Sequence, residues 1–179
     1  MHTKLLLFST TVLLGMAFGI HGVSAHGCPP EPTSNSTSPS AEVQTEPLQS
    51  HLSSPTSFGA IQNVLSQHMG QPYLWGATGP TAFDCSGLTQ FAYKQALNIN
   101  LNRTAEQQFN QFRHVSHNQV HPGDLIFFSY NGGLSIDHVG IIVEGQNMMV
   151  DAQNHGVVRE CYMAPWWQGF IAGYARVIE

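Results

Sequence analysis

Charge is scarce in this chain: Asp, Glu, Lys and Arg make up 9% of its 179 residues, and only six residues are Lys or Arg. Without a basic run or interleaved aromatic and basic residues, nucleic acid is excluded as a partner. No internal repeat occurs, so the chain is not a repeat array. The one long apolar run, Leu5 to Ile20, is short for a membrane span and no basic stop follows it. Cysteine is rarer still. Cys28, Cys85 and Cys161 allow at most one intramolecular bridge and leave one thiol over. A Cys28–Cys161 bridge would leave Cys85 free, but Cys161 also reads as a buried strand thiol. Lipid attachment at Cys28 is the weaker reading, because Ala25-His26-Gly27 lacks the usual apolar residue three places before it.

What is present divides the chain in three. Lys4, the apolar stretch and the small residues Val23-Ser24-Ala25 predict a signal peptide over 1–25. Residues 26–57 are crowded with Pro, Ser and Thr and cannot bury enough apolar surface to offset the entropy of ordering. They read as a flexible linker, and composition alone also allows a glycosylated stalk. Residues 58–179 have the size and apolar content of one domain. The chain is therefore expected to be exported to a periplasm, a cell wall or the exterior. No transmembrane helix is expected after signal cleavage.

Within the domain, Phe58, Ile61, Val64, Leu65 and Met69 recur at helical spacing before Gly70 and Pro72. Tyr73 to Asp84 reads as an irregular loop. Leu88, Phe91, Ala92 and Ala96 predict a second helix with Asp84 as its N-cap, which puts Cys85 in the first turn. A short third helix is expected over Arg103 to Phe112, started by Thr104. Strand-length runs follow at Leu125–Tyr130, His138–Val143, Asn147–Ala152, Gly156–Cys161 and Phe170–Ile178. Short successive strands favour antiparallel pairing, so the expected class is α+β, with the helices first and packed on the sheet.

A thiol in the first turn of a helix faces the positive end of the helix dipole and unpaired N–H groups, and both favour thiolate. The alternative is that Cys85 is a small buried hydrophobe. A nucleophile needs a base, and His138 opens a strand in DHVGIIVEGQNMMVDA. A two-residue turn at Glu144-Gly145 would set His138 directly opposite Asp151, on one face of the sheet. A carboxylate there can fix the ring's tautomer and stabilise the imidazolium. A turn centred one residue later puts Gln153 opposite His138 instead, so Gln153 is the second candidate. Asp137 points to the other face.

The stretch GQPYLWGATGPTAFDCSGL resembles the signature of the NlpC/P60 family of cell-wall cysteine peptidases. The similarity continues in order through RTAEQQ, PGDLIFF, DHVGIIV, the MMVDA strand and IAGYARV. The resemblance implies a papain-like α+β fold and a thiol hydrolase that cuts the γ-D-glutamyl bond to a diamino acid in peptidoglycan stem peptides. It also implies roles for particular residues. Cys85 would be the nucleophile, His138 the base, and Asp151 the third polar residue, where the family most often has histidine. Tyr73 would lie over the nucleophile, and Asp84 and Ser86 would help recognise the stem peptide or muropeptide. Ala77 departs from a common family glycine, and the turn before Asp151 is longer than usual. No cofactor and no metal are implied, and a monomer is expected.

Other readings compete. His114, His117 and His121 in HVSHNQVH suggest a zinc site, but no carboxylate or cysteine accompanies them. An inactive wall-binding module would keep the groove without the chemistry. A related thiol amidase or acyltransferase would keep the chemistry on another substrate.

Overall fold

The computed structural model describes residues 27–28, 56–145 and 147–179. The expected leader and nearly all of the expected linker lie outside the described residues. Helix α1 (Ser57–His68) starts where Thr56 Oγ1 accepts a bond from Gly59 N at 3.1 Å. It buries Ile61 and Leu65, which are four residues apart and share a face. Met69 was expected to extend this stripe, but it lies beyond the helix and is 41% exposed. Helix α2 (Cys85–Leu97) ends on Asn98, whose left-handed backbone turns its N–H back to Lys94 O. Helix α3 (Ala105–Phe109) is shorter than expected and is held by a reciprocal cap between Thr104 and Gln107.

Six strands follow: β1 (Arg113–Val115), β2 (Leu125–Phe128), β3 (His138–Ile142), β4 (Met148–Gln153), β5 (Gly156–Cys161) and β6 (Ile171–Arg176). A helical turn, α4 (Pro165–Gln168), precedes the last. The strands form one antiparallel sheet in the order β1-β6-β2-β3-β4-β5, so the class is α+β. Neither β1 nor α4 was anticipated. β1 is three residues long and exists by pairing with β6, which local pattern cannot reveal.

Successive residues of a strand point to opposite faces, and here both faces are covered. Leu125, Phe127, Val139 and Ile141 meet Ile61 and Leu65 of α1 and Leu88 and Ala92 of α2. Ile126, Phe128, Ile142 and Met149 pack on the other side with Tyr162, Trp167 and Tyr174. Burial on both sides explains the unbroken apolar run of β2. Cys28 is bridged to Cys161 of β5 with 5.8 Å between Cα atoms, and Cys85 is the free cysteine. A sulfur held in that bridge is not available for lipid attachment.

The β3–β4 connection corrects the expected register. Ile141 pairs with Val150 and Ile142 with Met149, and Val143 N bonds Met148 O at 3.0 Å. Pairing runs out at Val143 and Met148, so the strands are not joined by a two-residue turn at Glu144-Gly145. Gly145 and Asn147 both take positive φ (+100° and +56°), which widens the reversal. Continued along β3, this ladder sets Gly140 opposite Asp151 and Gln153 opposite His138.

Phe127 is fully buried and meets the Phe109 ring edge-on at 5.1 Å. Phe127→Ala should therefore cost about 3–5 kcal/mol of unfolding free energy in urea denaturation. A loss below about 1 kcal/mol would contradict a helix-covered sheet face at this position.

Candidate active site

The site begins with the cap of α2. Asp84 is 6% exposed, and a carboxylate so buried needs a donor for each oxygen. Its Oδ1 accepts from Gly87 N at 2.7 Å and Oδ2 from Gly76 N at 3.0 Å. Arg103 donates to both oxygens, with Nη1 at 3.1 Å from Oδ1 and Nη2 on Oδ2. Ser86 Oγ donates weakly to Oδ1 at 3.4 Å and accepts from Arg103 Nη1 at 3.0 Å. Asp84 N in turn donates to Ala77 O at 2.9 Å, which clamps the loop onto the helix start. That approach is so close that a Cβ on Gly87 would lie 2.1 Å from Ala77 O, so only glycine fits. Ala77 matters here through its carbonyl, which any residue supplies.

Cys85 is the first residue of α2 and is 8% exposed. It lines an open groove of about 710 Å³ together with Trp75, Asp84, Ser86, Arg103 and Tyr130. His138 opens β3 at 6% exposure, and Asp151 on β4 is 0% exposed. His138 Nε2 lies 2.7 Å from Asp151 Oδ2. The two meet diagonally, because their backbones are not direct partners. Gly140 stands between them without a side chain, and a Cβ there would come within 3.3 Å of Asp151 Cβ. The Trp167 ring stacks on His138 with 5.3 Å between centroids and 17° between planes. Gln153 donates through Nε2 to Glu160 Oε1 and makes no bond to His138.

Burial of the His138 ring opposes its charged form, but hydrogen bonding to Asp151 and to the Cys85 sulfur outweighs this and raises its pKa to about 10. Cys85, His138 and Asp151 are thus brought into one connected group. Tyr73 lies beside them, half-buried. Burial, then the negative charges of Cys85 and Asp84, raise its phenol pKa and keep the hydroxyl a donor. Tyr130 is raised by burial and by the charges of Cys85, Asp151, Asp137 and Glu160.

Tyr130, Arg103 and Gln108 were missed by sequence reasoning. Tyr130 ends an apolar run that reads as strand. Arg103 reaches Asp84 across 19 positions of sequence. Gln108, fully buried, accepts from Thr89 Oγ1 at 2.7 Å and donates to Ser86 O at 3.0 Å, tying α3 to the first turn of α2. The only signal for the last two was their place in RTAEQQ. The histidines of HVSHNQVH have separate neighbours: His114 bonds Phe109 O at 2.9 Å and His117 bonds Tyr174 Oη at 2.9 Å. Among the described residues, no three His, Cys, Asp or Glu side chains are grouped to hold a metal ion.

A family model described as the NlpC/P60 family matches residues 70–176. The chain is 37% identical over 145 residues to "Probable endopeptidase p60" of Listeria grayi, covering 81% of this chain and 27% of that protein. It is 36% identical over 123 residues to "Bifunctional muramidase/DL-endopeptidase CwlT" of Bacillus subtilis, covering 67% and 36%. A solved structure of an NLP/P60-family protein from Staphylococcus aureus superposes with a TM-score of 0.62 at 35% identity, covering 71% of this chain and 45% of that one. The chain spans about a quarter of the length of the first curated relatives it matches.

The raised His138 pKa has a consequence for stability. A base whose folded pKa lies above its ordinary 6.5 contributes stability fully below pH 6.5 and loses it as pH rises through about 10. Unfolding free energy from urea titrations should fall across that window in the native sequence. It should fall much less in Asp151→Asn, whose side chain no longer holds the imidazolium. Equal falls in both proteins would show that this pair is not the cause.

Proposed function

The chain belongs to the NlpC/P60 family, and on that premise we propose that it is an exported, thiol-dependent peptidoglycan hydrolase. The bond proposed to be cut is γ-D-glutamyl to diamino acid in stem peptides, intact or released as muropeptides. The observation that carries this reading is a free cysteine at the first position of α2, coupled to a buried His138–Asp151 pair 2.7 Å apart.

The chemistry follows from that arrangement. With His138 protonated through neutral pH, Cys85 rests beside an imidazolium, the partner that suits an attacking thiolate. The thiolate adds to the scissile carbonyl carbon. The oxyanion is met by N–H groups at the start of α2, those of Cys85 and Ser86, with the Tyr73 hydroxyl as a further donor. The C–N bond breaks as His138 gives its proton to the departing amine, leaving a thioester. Water then attacks the thioester with His138 as base, releasing the new carboxyl group and the thiol. Asp151 holds the ring in one orientation throughout. The groove wall of Asp84, Ser86 and Arg103 offers paired charges and a hydroxyl to the polar stem peptide.

Export is proposed from the leader read over 1–25, and the Cys28–Cys161 bridge supports it because such bridges persist in oxidising compartments. No helix among the described residues is long and apolar enough to cross a membrane.

Incubation with purified muropeptides, with products identified by mass, tests the reading. Cleavage between D-glutamate and the diamino acid is expected, and Cys85→Ala should lower it by at least about a thousandfold. Asp151→Asn should cost about a hundredfold or more in kcat, while Gln153→Ala costs less than about tenfold. Intact muropeptides after incubation with the native protein would refute this substrate. A larger loss in Gln153→Ala than in Asp151→Asn would refute the role given to Asp151.

A further inference from the structure

Asp151 is fully buried, and only one of its oxygens is satisfied. Oδ2 meets His138, whereas Oδ1 has no hydrogen-bond partner among the described residues. An orphaned carboxylate oxygen in a dry site is costly and calls for a donor. The β4–β5 register shows which side chain can supply one. Asp151 pairs with Val158, Met149 with Glu160 and Gln153 with Gly156, so all six residues face the same side of the sheet. Gln153 and Glu160 hydrogen-bond although their backbone levels lie on either side of Asp151, so their side chains meet beside it.

Resting on the reading of Asp151 given above, we propose that Glu160 is a positioning residue: its protonated carboxyl donates to Asp151 Oδ1 and holds Oδ2 against His138. The groups that face Glu160 fit this role. From β4 it meets the Asp151 carboxylate and the Gln153 amide, and from β3 the charge of His138. Tyr130 also lies within reach of its charge, from the loop after β2. From α4 comes the Trp167 indole, whose Nε1 is buried without a well-formed hydrogen bond among the described residues yet lies near enough to favour the ionised carboxyl. On its own strand, Arg159 is turned away and bonds Glu144 O at 2.8 Å.

Half-burial and then the Asp151 charge raise the Glu160 pKa to about 7, against the pull of Trp167 and His138. The proton that Asp151 Oδ1 needs is therefore present in mildly acid solution and lost in mildly alkaline solution. Once ionised, Glu160 repels Asp151 and takes the Trp167 N–H as its partner. Trp167 is also the ring stacked on His138, so both states of Glu160 touch the imidazole's surroundings.

The test follows the His138 ring nitrogens by NMR against pH in the full-length protein without substrate, with the signal assigned by its loss in His138→Gln. Two midpoints are expected in the native protein, near 7 from Glu160 and near 10 from the ring itself. In Glu160→Gln, whose amide donates at every pH, the midpoint near 7 should vanish. Muropeptide turnover in Glu160→Leu should drop about tenfold, the scale for losing a bond to a charged buried group, and Glu160→Gln should restore most of it. Persistence of the neutral midpoint in Glu160→Gln overturns the proposal. So do equal losses of turnover in both variants with the His138 titration unmoved, the mark of a merely structural side chain. Because the titration needs no substrate, a native protein that shows the step but cuts no muropeptide would sink the peptidase reading and leave this one standing.

Discussion

A buried carboxylate must find donors, and Asp84 finds them on three separate pieces of chain. The loop gives Gly76 N, the helix gives Gly87 N, and the segment ahead of α3 gives the Arg103 guanidinium. Cys85 is the next residue, so its place in space is set by a network its own side chain does not join. Electrostatics follow from the same contact. A bare carboxylate next to a thiol would disfavour thiolate, and the two-pronged Arg103 contact offsets that charge where it stands. Remove Asp84 from this arrangement and the loop, the helix start and α3 lose their common point.

The sequence exposes the parts of this design that are local. A cap one residue before a helix, an apolar run buried on both faces and a histidine opening a strand are all visible within a few positions. The His138–Asp151 contact was legible for a subtler reason. Strand side chains alternate with period two, so a register that slips by two residues still leaves both on one face. The expected turn was too short, yet the two side chains still meet, now diagonally across Gly140. What could not be read were the contacts that tertiary packing creates. Arg103 arrives from the segment ahead of α3 and Gln108 from α3 itself, and the local pattern of neither says anything about Asp84 or Ser86. β1 is a strand only because β6 lies beside it, and Glu160 acquires meaning only when the β4–β5 register is known.

The buried pair explains why the far face of the sheet is so aromatic. Phe128, Trp167 and Tyr130 surround the His138 ring and keep water from the pair. Exclusion of water strengthens the attraction between imidazolium and carboxylate, but it also makes every unsatisfied polar atom costlier. The same packing that sustains the charged His138 therefore creates the demand at Asp151 Oδ1.

That demand is answered, on our reading, from β5, which lies at the edge of the sheet. Edge strands are held on one side only and open more readily than central ones. Here the edge is pinned: Cys161, adjacent to Glu160, is bridged to Cys28, and Asn147 Nδ2 donates to Gly27 O at 2.8 Å. The short segment before the domain thus braces the strand that carries Glu160. An oxidising environment, which permits that brace, also keeps a carboxyl in place beside the pair it supports. The odd cysteine count then has a physical logic: two sulfurs tie down an edge of the site, and the third is left free to face the groove.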